Sequence, residues 1–255
     1  MERLEQHITE QFGLAGCDAA WHVLDLNSGN EIGVNADKPV IMASVFKVLI
    51  ALEFYAQVHA GGLDATEKVT LPPDAHTDGP TGISTFDDPV LISLRDLCRM
   101  MMSVSDNTAA DTLLKIVGLN HVNARARACG YVATVVESSL KETWDELGVD
   151  LGFSSYAELR KARAGALGPD QQQQGWDVHR MRSCAALDPM RTNRSTPRDM
   201  TRLLRAIWKN EAAPLASCAS TRAAMSQLTS SRLSRALPDD ASYAGKLDRE
   251  RVKVY

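Results

Sequence analysis

No stretch of this chain is both long and apolar enough to cross a bilayer. The best, residues 40–58, is broken by Ser44, Lys47, Glu53 and Gln57. The N-terminal MERLEQHITEQFG has no apolar core behind its charges and does not read as a secretory signal peptide. There is no basic excess: 28 Lys and Arg stand against 32 Asp and Glu, a formal charge of −4. That excludes the global positive footprint of a nucleic-acid binder. The five cysteines (Cys17, Cys98, Cys129, Cys184, Cys218) are odd in number, scattered and without a CxxC pair. They read as free thiols in a reducing compartment, not as a disulfide or zinc framework. None of the six histidines is paired with Cys or carboxylate at metal spacing, so neither metal nor other cofactor is expected. No internal repeat is visible. The expectation is a cytoplasmic monomer with a small-molecule substrate, no nucleic-acid partner and no membrane span.

What is present is ordinary globular material. The 255 residues are 44% hydrophobic and 24% charged, enough for one large domain or two small ones with a core that needs no staples. Residues 3–12 pattern as an amphipathic helix ending at Gly13. Trp21–Leu26 and Glu31–Asn35 read as two strands around the turn cluster Asn27-Ser-Gly-Asn30. A long helical pattern opens at Ser44 and ends near Gly61-Gly62. Residues 71–90, rich in Pro, Gly, Asp and Thr, read as loop. Helical patterns resume at Leu94–Ser103 and Asn107–Val117, and Cys129–Val136 is ambiguous. Residues 138–190 are polar and irregular, with short helices near 140–147 and 156–164 and with the Gln171–Gln174 run as loop. Thr196 as cap, Pro197 in the first turn and Asp199 close behind signal a helix start. Another helix follows at Leu215–Leu228, and Tyr243 begins a terminal strand-like stretch. This order predicts a mixed α/β (α+β) fold: an antiparallel sheet flanked by helices from both chain ends, with a helical region inserted. The implied division is 1–57 plus 196–255 as the α/β subdomain and 58–195 as the helical subdomain.

Ser44-Val-Phe-Lys47 places a hydroxyl and an amine three residues apart, on one face of a helix start. Free N–H groups and the positive helix end at such a start favour an oxyanion. A desolvated lysine there can act as a base. The motif alone is weak, since Ser138-Ser-Leu-Lys141 repeats it in a region with no other support. Ser105-Asp106-Asn107, at the junction of two helical patterns, can aim a hydroxyl and an amide into a cleft, although Ser, Asp and Asn are also common helix caps.

Together these segments match the S-x-x-K and S-D-N signatures of class A β-lactamases and penicillin-binding proteins. The chain resembles class A-like serine β-lactamases from about Trp21 to Lys246, including ASVFKV at 43–48, MSVSDNTAADTLL at 102–114 and STPRDM at 195–200. The resemblance implies roles. Ser44 would be the acylated nucleophile, Lys47 its base or proton shuttle, and Ser105 a proton relay to the leaving nitrogen. Asn107 would bind the substrate amide, and Lys246 would supply the cation of the third motif.

Two departures from the family pattern stand out. The third motif reads Lys246-Leu247-Asp248, which lacks a hydroxyl and adds a negative charge where the family has glycine. Only nine residues follow Lys246, so the resemblance implies a C-terminally truncated or frameshifted chain whose sheet lacks its middle strands. The family's water-activating glutamate is matched by Glu137 in Glu137-Ser-Ser-Leu140, with Glu142 the next candidate. Trp176 either lines the cleft or packs a helix, Met100–Met102 read as core, and Arg191, Arg194 and Arg198 read as a solvated face. The leading reading is a serine hydrolase acting through an acyl-enzyme at Ser44, with β-lactams as the substrate class. A non-catalytic or truncated binder of β-lactam-like ligands, and a cytoplasmic esterase, amidase or DD-peptidase-like enzyme, remain as alternatives.

Overall fold

The computed structural model describes residues 2–175 and 177–228. The third-motif stretch with Lys246, Leu247 and Asp248, the strand-like stretch from Tyr243, and Trp176 lie outside them. Helix α1 (Glu2–Leu14) leads into a hairpin of β1 (Trp21–Leu24) and β2 (Glu31–Val34), paired antiparallel with Trp21 opposite Val34. A short strand β3 (Val40–Ile41) pairs antiparallel with β6 (Arg194–Ser195), so segments from both halves of the chain meet beside the Ser44 turn. Strands β4 (Lys68–Leu71) and β5 (Val90–Ser93) form a third antiparallel pair. Sequence reading placed Val90 at the end of a loop. The two strands lie far apart in sequence and carry no tight-turn signal between them.

The helices carry most of the core. Helix α2 (Lys47–His59) continues a 3-10 turn at Ala43–Phe46 and is buried on every side, from Val48 through Phe54. A helix apolar all round belongs in a core. Around it pack α3 (Leu94–Ser103), α4 (Asn107–Val117), α5 (Leu119–Ala128) and, from the far end of the chain, α11 (Leu215–Met225). Met101 and Met102 are fully buried in this cluster. Helix α10 (Pro197–Trp208) starts where its cap signal placed it: the Thr196 hydroxyl accepts the Asp199 N–H at 3.1 Å.

Residues 140–187 build a second, smaller cluster. Helix α6 (Leu140–Asp150) opens with a full capping box between Ser139 and Glu142, followed by α7 (Tyr156–Arg163), α8 (Pro169–Gly175) and α9 (Val178–Ser183). Leu147, Leu151, Phe153, Leu159 and Cys184 fill its centre, and Trp144, stacked on Tyr156 with centroids 5.3 Å apart, packs against both clusters. A β-carbon on Gly148 would stand 2.6 Å from the Ser155 carbonyl carbon, so only glycine lets α6 and the start of α7 approach this closely. The glutamine run expected as loop is the body of α8. Its polar side chains give no periodicity to read, and the helix is held from outside, by its buried Gly175 and by a Gln174 side-chain hydrogen bond to the Leu151 carbonyl.

Burying α2 on all sides also buries its charges. Glu53 is met by Arg125 from α5, and its other oxygen accepts from Gln57 at 2.8 Å. Arg125→Ala strands a buried carboxylate. We expect a loss of about 3–5 kcal/mol in urea unfolding, largely recovered when Glu53 is also replaced by leucine. A single variant within about 1 kcal/mol of the parent would show that the pair does not hold α2 to α5.

Candidate active site

Three segments meet at the head of α2. Ser44 lies in the 3-10 turn, Lys47 opens the helix, and Ser105 to Asn107 form the turn between α3 and α4. Both turns hold non-glycine residues in the left-handed region, Ala43 at φ 43° and Ser105 at φ 63°. Such strain persists only where the surroundings enforce it, and it gathers at functional sites.

The Lys47 amine is the centre of the arrangement. Its side chain is fully buried, and its Nζ donates to the Ser105 carbonyl at 2.7 Å, to Asn107 Oδ1 at 2.7 Å and to Ser105 Oγ at 3.2 Å. Ser105 Oγ in turn donates to Ser44 Oγ at 3.0 Å. A hydroxyl both gives and takes, so Ser105 links the amine to the candidate nucleophile in either direction of proton transfer. All four residues are nearly inaccessible, and Ser44 is the most exposed of them at 8%. Ser44, Lys47, Ser105 and Asn107 are thus brought into one connected cluster.

The loop 77–84, featureless in sequence, forms one wall by fastening to the SDN turn. Thr77 and Thr108 exchange two bonds, the Thr77 N–H to Thr108 Oγ1 at 2.9 Å and that hydroxyl to the Thr77 carbonyl at 3.1 Å. Asn107 Nδ2 donates to the Asp78 carbonyl at 2.8 Å, which leaves its second N–H for a ligand. Asp106, fully buried, accepts from the N–H groups of Ile83 at 2.6 Å and Ala109 at 3.1 Å and from the Ser84 hydroxyl at 3.2 Å. Gly82, at φ 66°, packs its α-carbon against that carboxylate where a side chain has no room. Backbone partners of this kind leave little trace in a sequence.

The expected water-activating residues lie differently. Glu137 is paired with Arg194 at 2.5 Å with its carboxylate 41% exposed. Glu142 is held below the usual carboxylate range by the Ser139 N–H and hydroxyl, as the second half of the capping box. The Glu137 segment is itself well fixed: buried Asn193 accepts the N–H groups of Glu137 at 2.7 Å and Ser138 at 3.1 Å, while its carbonyl takes the Met42 N–H at 2.9 Å. The carboxylate that sequence reading passed over is Asp111, one turn beyond Asn107. Burial pushes its carboxyl up, against the pull of the Leu140 and Lys141 N–H groups, the Thr77 hydroxyl and the charge of Lys47.

Beside the Thr77–Asp78 wall opens a cleft of 280 Å3 lined by Trp144, Tyr156 and Arg160 as well as Lys141 and Asp145. A larger cavity of 500 Å3 lies elsewhere, between the β1–β2 hairpin, the end of α5 and α10, and touches none of the four clustered residues. Among the described residues, no group of three metal-capable side chains occurs and no helix is long and apolar enough to cross a membrane.

A buried lysine is thus joined through one serine to another at a helix start, with an asparagine on the same amine. A family model described as "Beta-lactamase enzyme family" matches residues 3–248, and the chain belongs to that family. The β-lactamase regulatory protein BlaB of Streptomyces cacaoi is 30% identical over 208 residues, which is 81% of this chain and 64% of that protein's length. Among solved structures, an ancestral class A β-lactamase (GNCA) shares the fold with TM-score 0.70 at 22% identity, covering 93% of this chain and 76% of that one. A β-lactamase from Sphaerobacter thermophilus does so with TM-score 0.64 at 21% identity, covering 88% and 68%.

Asp106 tests whether the wall matters. Removing three bonds to a buried carboxylate in Asp106→Ala is expected to cost at least about 3 kcal/mol in urea unfolding. A loss under about 1 kcal/mol would mean that the loop 77–84 stands without it.

Proposed function

We propose that this protein is a serine hydrolase that forms an acyl-enzyme at Ser44, with β-lactams as its substrate class. The observation that carries this reading is the chain of contacts from Lys47 through Ser105 to Ser44. Ser44 Oγ attacks the lactam carbonyl carbon while its proton passes by Ser105 to a neutral Lys47. Backbone N–H groups at the start of the 3-10 turn and α2 favour the tetrahedral oxyanion. The carbon–nitrogen bond then breaks, the proton returns through Ser105 to the leaving nitrogen, and the acyl group stays on Ser44 as an ester. The free N–H of Asn107 takes the substrate's side-chain amide. The cleft at Trp144 and Arg160 lies next to that amide, where an acyl side chain can extend. Lys246 keeps its proposed role toward the substrate carboxylate.

The ester is released by water, and there the protein is less well equipped. With Glu137 engaged by Arg194, its role as water-activating base requires that surface pair to open. This favours a second reading, a protein acylated by β-lactams that releases them slowly. Such a covalent receptor also accords with the regulatory name of its Streptomyces relative.

The test is intact-protein mass after incubation with a fluorescent penicillin. We expect an adduct of one ligand mass on the parent protein and none on Ser44→Ala, and we expect the parent adduct to persist for minutes or longer. An adduct on folded Ser44→Ala, or no adduct on the folded parent, refutes the assignment. Decay within seconds favours the hydrolase over the covalent receptor.

A further inference from the structure

The contact chain raises a question of direction. With a protonated Lys47, the hydrogen bonds run from the amine to Ser105 and from Ser105 to Ser44. Attack by Ser44 needs the reverse flow, so whatever favours the ammonium restrains the nucleophile. Nζ also donates to two neutral acceptors, the Ser105 carbonyl and Asn107 Oδ1.

Asp111 supplies a charge at this place. It lies four residues after Asn107 on α4, so the two side chains share one helix face about 6 Å apart. Asn107 is in direct contact with the Lys47 amine. The Asp111 carboxylate joins three elements: Oδ2 accepts the Thr77 hydroxyl at 2.8 Å and the Lys141 N–H at 2.9 Å, and Oδ1 accepts the Leu140 N–H at 2.8 Å. The other charges around it are engaged elsewhere. Asp78 pairs with Arg160 at 2.6 Å, Lys141 with Asp145 at 3.4 Å and Glu137 with Arg194 at 2.5 Å. Asp106 caps α4, and Lys115, one turn further along, is exposed.

We infer that Asp111 is a positioning residue that acts as the half-buried counter-charge of Lys47, holding it as the ammonium and keeping Ser44 at rest near neutral pH. The same carboxylate fastens the Thr77 wall and the start of α6 around the site. A change in its charge therefore reaches both the amine and the segment that carries Glu137. The consequence for acyl transfer rests on Ser44 being the acylated residue. The charge relation does not, and it is measured without any β-lactam.

The experiment is a pH titration of the Lys47 ε-carbon by NMR in protein labelled with ε-13C lysine, the resonance being assigned by its loss in Lys47→Met. In Asp111→Asn, which keeps an oxygen for one of the two α6 N–H groups, the Lys47 midpoint is expected to fall by about one pH unit, and in Asp111→Glu it is expected to stay near the parent's. The pH limb of penicillin adduct formation should fall in parallel. An unchanged midpoint in folded Asp111→Asn overturns the inference and leaves Asp111 a structural tie. Should Asp111→Asn fail to fold, the parent protein decides: coupling predicts a second, acidic inflection in the Lys47 resonance as Asp111 takes up its proton, and a single-step curve overturns it. A lowered midpoint without any penicillin adduct would uphold the charge relation and reject the proposed function.

Discussion

The site is organised around one lysine amine held out of water. Lys47 is fully buried at the head of a helix that is itself surrounded by protein. A buried charge is tolerated only when its hydrogen bonds are met in place, and Ser105 and Asn107 meet them. That requirement fixes the turn between α3 and α4 in a strained left-handed conformation at Ser105 and sets Asn107 as the first residue of α4. Asp106 then caps the same helix and takes the loop 77–84 with it. Each step trades backbone strain or a buried polar group for a defined direction of the Ser105 hydroxyl, which is what a nucleophile at Ser44 needs.

The parts of this site that were legible in sequence share one property: the chemistry lies within a few residues of itself. Ser44 and Lys47 are one helical turn apart, and Ser105 and Asn107 flank a cap residue. The helices α3 and α4 and the start of α10 were legible for the same reason, because amphipathic spacing and caps are local signals. The loop 77–84 was not, since it is ordered by bonds from its backbone to residues 23 to 31 positions away. Asp111 reads as an unremarkable polar residue on α4 until Leu140 and Lys141 are folded against it. Helix α5 escaped notice because its sequence, LNHVNARARA, alternates polar and small residues, and packing against α2 decides its fate. The paired strands β4 and β5 failed for want of a turn between them.

The α6–α9 cluster builds one side of the cleft beside the Thr77–Asp78 wall. It brings its own small core, sets Trp144 and Tyr156 face to face, and places Arg160 on Asp78, whose carbonyl holds Asn107. Its first turn is pinned by Asp111 and by the capping box that occupies Glu142. The pair Glu137–Arg194 ties the segment before α6 to β6.

The central claim is that the buried amine of Lys47, acting through Ser105, makes Ser44 a nucleophile. Its most direct measurement is 11B NMR of a small boronic acid added to the protein, which reports a tetrahedral boron when a serine oxygen adds to it. A tetrahedral signal is expected with the parent protein and its loss in Lys47→Met, an uncharged side chain of similar length that a buried site accepts, with circular dichroism unchanged. A tetrahedral signal of equal strength in folded Lys47→Met would contradict it.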